Sequence, residues 1–326
     1  MDDSLYIQRC LDLARLGCYY VAPNPMVGAV LVSPDGRILA EGWHQQYGGP
    51  HAEVNCFADA DRRGITPEQI REATLYVSLE PCSHFGKTPP CAELIVSKHP
   101  KRVVAGMQDP NPLVSGHGLN RLTQAGIEVT CGVLENECRQ LNKRFVCLME
   151  KRRPYVTLKW AQTADGFIDG YNATPLVISS PFTKQLVHQL RAENMAILVG
   201  AGTVRKDHPR LRTTRWAGRH PLRIALDHHP HDIDYTDWLV YSDNTDWTFV
   251  LNDLAQRNIH SLIVEGGATV LNHVLQTDLY DEVHIEVSTQ TITNGVKAPE
   301  WRIKNTLARN LHIEKYEQST LYLFGA

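Results

Sequence analysis

The chain has 326 residues, which at roughly 150 residues per domain gives about two domains. Hydrophobic residues at 43% and charged residues at 21% form an ordinary globular balance and exclude a disordered chain. A net charge of −3 leaves no whole-protein basic field for nucleic acid, and no apolar run approaches the ~20 residues of a membrane span.

Ser4 is placed to cap a helix running to about Leu16, and an acidic start without a signal-peptide core predicts a cytoplasmic protein. Strands are predicted at 27–32 and 38–40 around the turn Pro34-Asp35-Gly36. A helix follows at 51–60, a strand at 74–79 and a helix at 91–97. A strand at 102–106, a helix at 119–124 ended by Gly126, and a strand at 127–131 complete the first half. All eight cysteines lie in the first 147 residues, whereas five of the six tryptophans lie beyond them. The polar segment Glu150-Lys151-Arg152-Arg153-Pro154 reads as the linker, giving domains 1–148 and 149–326. In the second half, strands are predicted at 155–160, 196–199, 222–225, 261–264, 283–287 and 321–324, with helices at 181–191 and 269–275. Alternating strands and helices mean α/β layers in both domains.

The first chemical signal is Pro50-His51-Ala52-Glu53 followed by Pro81-Cys82 and, after eight residues, Cys91. A chain of this length without an export signal is a poor disulfide scaffold, so these thiols are candidates for metal. One imidazole and two thiolates hold zinc and leave its fourth position open for chemistry. Glu53, two residues after His51 on a first helical turn, sits where a proton shuttle is needed. This order is the zinc-deaminase pattern, except that the usual two residues between the cysteines are here eight. Lone histidines and cysteines are mostly core residues, but a core origin does not account for all three elements in this order. A closed structural zinc site needs four protein ligands, and the sequence offers three.

In the second half, Val199-Gly200-Ala201-Gly202-Thr203-Val204-Arg205 imitates a dinucleotide fingerprint but ends in Arg rather than Gly. Ile263-Val264-Glu265-Gly266-Gly267 ends a strand and opens a helix. It is either a phosphate-binding turn or an ordinary strand–helix connection. The seven basic residues from Arg205 to Arg223 are either a solvated loop or a phosphate pocket. Without interleaved aromatic residues they do not read as a nucleic-acid surface.

Pro81-Cys82-Ser83-His84-Phe85-Gly86-Lys87-Thr88-Pro89-Pro90-Cys91, with Pro23-Asn24-Pro25, Gly42-Trp43-His44 and Gln108-Asp109-Pro110-Asn111-Pro112, closely resembles the bifunctional deaminase/reductases of riboflavin biosynthesis. The stretches Leu158-Lys159-Trp160-Ala161, Leu190-Arg191, Gly202-Thr203-Val204, Asp207-His208-Pro209-Arg210-Leu211 and Glu265-Gly266-Gly267 extend the likeness through the second half. The resemblance implies a cytidine-deaminase-like first domain and a dihydrofolate-reductase-like second one, each of three layers. It implies zinc on His51, Cys82 and Cys91, acid/base work by Glu53, and substrate contacts by Asn24, His44, His84 and Lys87. In the second domain it implies NADPH contacts by Ala161, Thr203, Asp207 and Gly267, Ala268, Thr269, Val270 and Leu271. Arg191, Leu211, Arg215 and Glu265 are implied to meet the substrate. The implied reaction is hydrolytic deamination of a diaminopyrimidinone ribosylamino 5′-phosphate, then reduction of its ribosyl group to ribityl. The implied partners are this small molecule and further copies of the chain. The family carries Ser and Trp just before Ile178, where this chain has Pro175 and Val177. The competing reading is a zinc nucleoside, nucleotide or tRNA deaminase with an unrelated or inactive C-terminal domain. The long Cys82–Cys91 loop and the Glu265-Gly266-Gly267 turn argue against it.

Overall fold

The computed structural model describes residues 2–83, 90–112, 114–172, 174–301 and 311–325. The chain divides into two units, Met1–Lys151 and Arg152–Ala326.

In unit 1 the elements run α1 (Asp3–Arg15), β1 (Gly28–Val32), β2 (Ile38–Trp43), α2 (Ala52–Arg62), α3 (Pro67–Glu72), β3 (Thr74–Val77), α4 (Cys91–Lys98), β4 (Arg102–Ala105), α5 (His117–Gln124), β5 (Glu128–Cys131), α6 (Glu135–Leu141) and α7 (Lys143–Lys151). The sheet order is β2-β1-β3-β4-β5. β1 runs antiparallel to β2 and β3, while β3, β4 and β5 are parallel. Period-2 alternation sends Ala29, Leu31, Leu75, Val77 and Val103 to one face, where they pack on Cys56, Phe57, Ile70, Ile95 and Leu122 of α2 to α5. Val30, Val32, Tyr76 and Val104 meet Ile7, Leu11, Cys138 and Val146 of α1, α6 and α7 on the other. These are three layers.

Unit 2 contains β6 (Tyr155–Gln162), β7 (Phe167–Asp169), α8 (Pro181–Glu193), β8 (Ala196–Gly200), α9 (Ala201–Asp207), β9 (Leu222–Leu226), β10 (Trp238–Tyr241), α10 (Trp247–Gln256), β11 (Ser261–Glu265), α11 (Ala268–Thr277), β12 (Glu282–Ser288), β13 (Val296–Lys297), β14 (Leu311–Lys315) and β15 (Ser319–Gly325). The eight-stranded sheet is ordered β10-β9-β8-β11-β6-β12-β15-β14. Its strands are parallel from β10 to β12, and β15 and β14 close it antiparallel. β7 and β13 form a separate ribbon. The larger core packs Leu158, Leu198 and Val264 against α10 and α11. Ile197, Val199 and Ile263 face Leu190 of α8 and Val204 of α9 across the sheet.

Several local expectations are corrected. Asp2, not Ser4, caps α1: its carboxylate accepts from the Ser4 amide at 3.0 Å and the Ser4 hydroxyl at 2.6 Å. Helix α3 is absent from the predicted elements, although Thr66 and Gln69 form a capping box ahead of Pro67. The segment 199–205, which imitates a dinucleotide fingerprint, is the end of β8 followed directly by α9, a helix absent from the predicted elements. The stretch 227–246, where no element is predicted, includes the edge strand β10.

The segment 150–154 is not a free linker. Glu150 and Lys151 complete α7, and Glu150 pairs with Arg139 at 2.6 Å. Arg153 holds Asp281 through two bonds of 2.6 and 2.8 Å. Asp281 is buried and also accepts from the Val156 amide at 2.9 Å, which ties the start of β6 to that of β12. Removing one side of such a pair leaves a buried charge alone. Asp281→Ala is therefore expected to lower unfolding stability of unit 2 by about 3–5 kcal/mol, read by urea denaturation followed through its tryptophans.

Candidate active sites

The carboxyl ends of parallel strands are where α/β sheets leave room for ligands. In unit 1 the chain leaves β3 through Leu79, Glu80 and Cys82, and the N-termini of α2 and α4 point to the same place. His51 is the N-cap of α2, and Cys91 opens α4. His51 Nδ1 lies 3.6 Å from Cys82 Sγ and 3.3 Å from Cys91 Sγ. All three donor atoms lie within 4.8 Å of one another, the one such group among the described residues. Tetrahedral zinc, with Zn–N of about 2.0 Å and Zn–S of about 2.3 Å, needs ligands about 3.5 Å apart, so these residues fit it. The Cys91 amide donates to Cys82 Sγ at 3.3 Å. Hydrogen bonds from Cys91 and His51 hold the Cys82 thiol well below its ordinary value, and a thiolate is what a metal requires.

Glu53, in the first turn of α2, is 3% exposed. Burial, followed by the charge on Cys82, pushes its carboxyl up to about 7. An acid with that value exchanges protons near neutral pH.

These groups border a cavity of about 360 Å³. Asn24 and His44 line it, and the His44 tautomer is fixed by its hydrogen-bond partners. The Pro50 carbonyl can only accept, so His44 Nδ1 donates to it at 2.9 Å. Nε2 then accepts from the Asn24 amide at 3.1 Å, which makes the ring neutral. Burial lowers the His44 pKa in the same direction. The Pro23–Met26 loop is held by Asn142, which accepts from the Met26 amide at 2.8 Å and donates to its carbonyl at 2.9 Å. His84 and Lys87 lie outside the described residues.

Asp109 and Asn111, from a proline-stiffened loop whose sequence fits either a pocket wall or a plain loop, form part of the cavity wall, as do Val114 and, on α7, Phe145 and Met149, which the sequence does not assign to the site. Glu80 builds this wall. Its buried carboxylate accepts from the amides of Asp109, Gly116, Gly118 and Leu119 at 3.0, 2.9, 2.9 and 3.4 Å. α5 approaches so closely that a Cβ at Gly118 would fall 2.0 Å from the Pro81 carbonyl oxygen.

Unit 2 opens a cavity of about 710 Å³ at the carboxyl ends of β6, β8 and β11. Ala161, Arg191, Thr203, Asp207, Leu211, Arg215, Glu265, Gly267, Ala268 and Thr269 all line it. Val270 and Leu271 instead turn into the core, where Leu271 is fully buried. Glu265 accepts from Lys159 Nζ at 3.2 Å and from Arg191 Nη2 at 2.7 Å. Burial alone would raise its carboxyl, but the charges of Arg191 and Lys159 outweigh it and hold the group at about 2. Gly266 and Gly267 have φ of +86° and +66°, a region that favours glycine, and they lead straight into the first turn of α11. Lys159 is absent from the sequence-derived site, although a lysine inside the apolar run 155–160 is a legible signal. Of the basic run, Lys206, Arg210, Arg212 and Arg215 border the cavity. Arg205 pairs instead with buried Asp227, and Arg223 stacks on Trp238 with its guanidinium 4.9 Å from the ring centre. Burial and the neighbouring Asp169 raise the Asp207 carboxyl. Pro175 and Val177 also line the cavity, and Val177 is 60% exposed. Among the described residues no helix is long and apolar enough to cross a membrane.

The two sites define a bifunctional enzyme, a zinc deaminase joined in one chain to a reductase of dihydrofolate-reductase-like fold. Residues 1–107 match the cytidine and deoxycytidylate deaminase zinc-binding region, and residues 154–296 match the RibD C-terminal domain. The riboflavin biosynthesis protein RibD of Escherichia coli is 36% identical over 339 residues, covering 91% of this chain and 90% of that protein. RibD of Aquifex aeolicus is 46% identical over 227 residues, covering 69% of this chain and 62% of the relative. A solved diaminohydroxyphosphoribosylaminopyrimidine deaminase/5-amino-6-(5-phosphoribosylamino)uracil reductase from Thermotoga maritima superposes with a TM-score of 0.86. It is 35% identical, covering 99% of this chain and 98% of that one. The chain belongs to the RibD family, the bifunctional deaminase/reductases of riboflavin biosynthesis.

The ligand set predicts about one zinc per chain. Cys82→Ser is expected to lower the zinc content measured by metal analysis of purified protein. An unchanged content would remove Cys82 from the ligand set.

Proposed function

We propose that unit 1 hydrolytically deaminates a diaminopyrimidinone ribosylamino 5′-phosphate and that unit 2 then reduces its ribosyl group to ribityl with NADPH. The observation that carries this reading is the convergence of His51, Cys82 and Cys91 beside the buried carboxyl of Glu53. When bound, zinc supplies a Lewis acid and lowers the pKa of water to about 7. Glu53 takes a proton from the attacking water, whose oxygen bonds to the ring carbon, and passes it to the amine nitrogen, which leaves as ammonia as the C–N bond breaks. Asn24, whose amide is committed to His44, keeps its carbonyl oxygen for a pyrimidine donor. Asp109 and Asn111 line the same cavity, and Glu80 fixes their segment by accepting the Asp109 amide.

In unit 2 NADPH supplies the hydride. Gly266 and Gly267 let backbone and the α11 N-terminus meet a cofactor phosphate, with Thr203 alongside: a Cβ at Gly267 would lie 3.5 Å from Thr203 Oγ1. Arg191 and Lys159 keep Glu265 ionised toward the ribose end of the substrate, and Arg215 offers a fork of donors to its phosphate. The enzyme is read as self-associating on family resemblance alone.

Glu53→Gln is expected to keep zinc and to lower deamination roughly 10²-fold or more while leaving reduction of the deaminated intermediate unchanged. Ammonia release and NADPH oxidation, followed separately, check this. Near-normal deamination would move the proton shuttle elsewhere. Gly267→Val is expected to weaken NADPH binding in a fluorescence titration, because a β-branched residue opposes positive φ and blocks backbone approach. Normal binding by the folded variant would reduce this turn to a simple connection.

A further inference from the structure

Helix α8 presents Lys184, Val187, His188 and Arg191 to the reductase cavity, the spacing of one helical face. Arg191 is absorbed by its pair with Glu265. His188 has no role in the chemistry above, yet it makes a contact far along the chain: its Nδ1 accepts the backbone amide of Thr214 at 3.0 Å. An amide can only donate, so Nδ1 carries the lone pair and the ring is neutral. Burial, then the charges of Arg191 and Arg215, lower the His188 pKa in agreement with this and outweigh the charge of Glu265 and a hydrogen bond to the Arg212 backbone, which raise it.

The segment that receives this bond has no regular secondary structure between α9 and β9. Within it Leu211 is buried with φ of +50°, an uncommon conformation for a branched side chain. Leu211, Arg212, Thr214 and Arg215 all line the cavity. The Thr213 amide is likewise taken by an imidazole, Nδ1 of His220 at 3.2 Å, but that bond stays within the segment. The His188 bond instead ties the segment to a three-turn helix anchored in the core.

We infer that His188 is a positioning residue of the reductase: its imidazole, by accepting the Thr214 amide, fixes segment 211–215 so that Arg212 and Arg215 face the substrate. The inference rests on the reading that this cavity binds the phosphorylated substrate. It assigns His188 no contact with the reacting atoms.

The test uses the full chain and compares His188→Ala with His188→Asn, whose side-chain oxygen can accept the same amide. Hydrogen exchange over residues 211–216, substrate KM and kcat for NADPH oxidation, and NADPH affinity by fluorescence are measured on each. In His188→Ala the segment is expected to exchange faster and KM to rise about five- to tenfold, the loss of one net hydrogen bond. kcat and NADPH affinity stay near wild type, and His188→Asn restores KM and protection. His188→Leu, similar in size and without an acceptor, replaces alanine if that variant does not fold. Unchanged exchange or KM in the acceptor-free variant overturns the inference, as does an asparagine variant no better than alanine. A wild-type protein that oxidises no NADPH with the deaminated substrate would instead overturn the reductase reading, while the exchange measurement still reads the His188 bond.

Discussion

Zinc chemistry in unit 1 depends on three donor atoms from three segments meeting within 4.8 Å, and the sheet and two helix starts are arranged around that requirement. His51 is delivered by the N-cap of α2, Cys91 by the first turn of α4 and Cys82 by the chain leaving β3. The two thiolates packed this closely repel one another unless a cation joins them. Glu53 is drawn into the same buried place because it lies two residues from His51 on a helix whose other face fills the core with Cys56 and Phe57. The same burial raises its proton affinity, so one packing decision supplies both the ligand geometry and the acid.

Unit 2 solves a different problem with charge. Glu265, at the end of a central strand, is held ionised against its burial by ion pairs with Lys159 and Arg191. Lys159 comes from the adjacent strand β6, in register with Glu265, and Arg191 from the last turn of α8. Two cations and one anion leave a positive balance in the cavity, which suits a phosphorylated substrate.

Much of this is legible in the sequence. His51, Glu53, Cys82 and Cys91 can be read because each chemical role restricts the residue type and the order. Glu265-Gly266-Gly267 can be read because a strand ending in two glycines restricts the backbone. The support behind them is not legible. Glu80 looks like part of the Pro-Cys motif, and only the fold brings four amides from residues 109 to 119 onto it. Phe145 and Met149 sit on α7, a helix absent from the predicted elements whose last residues fall in the expected linker. A contiguous stretch from Gly267 to Leu271 overruns the site because each residue rotates a helix by about 100°, which turns Val270 and Leu271 into the core. Asp281 and Arg153, 128 residues apart, carry no local signature of their pairing.

The central claim is that two sites in one chain act in order on one substrate. The direct measurement follows ammonia release and NADPH oxidation simultaneously after the diaminopyrimidinone ribosylamino 5′-phosphate is added to the zinc-loaded enzyme. The account predicts one ammonia per NADPH oxidised, with ammonia appearing first and NADPH oxidation following after a lag. NADPH oxidation that starts without prior ammonia release, or ammonia release that is never followed by oxidation, would contradict it.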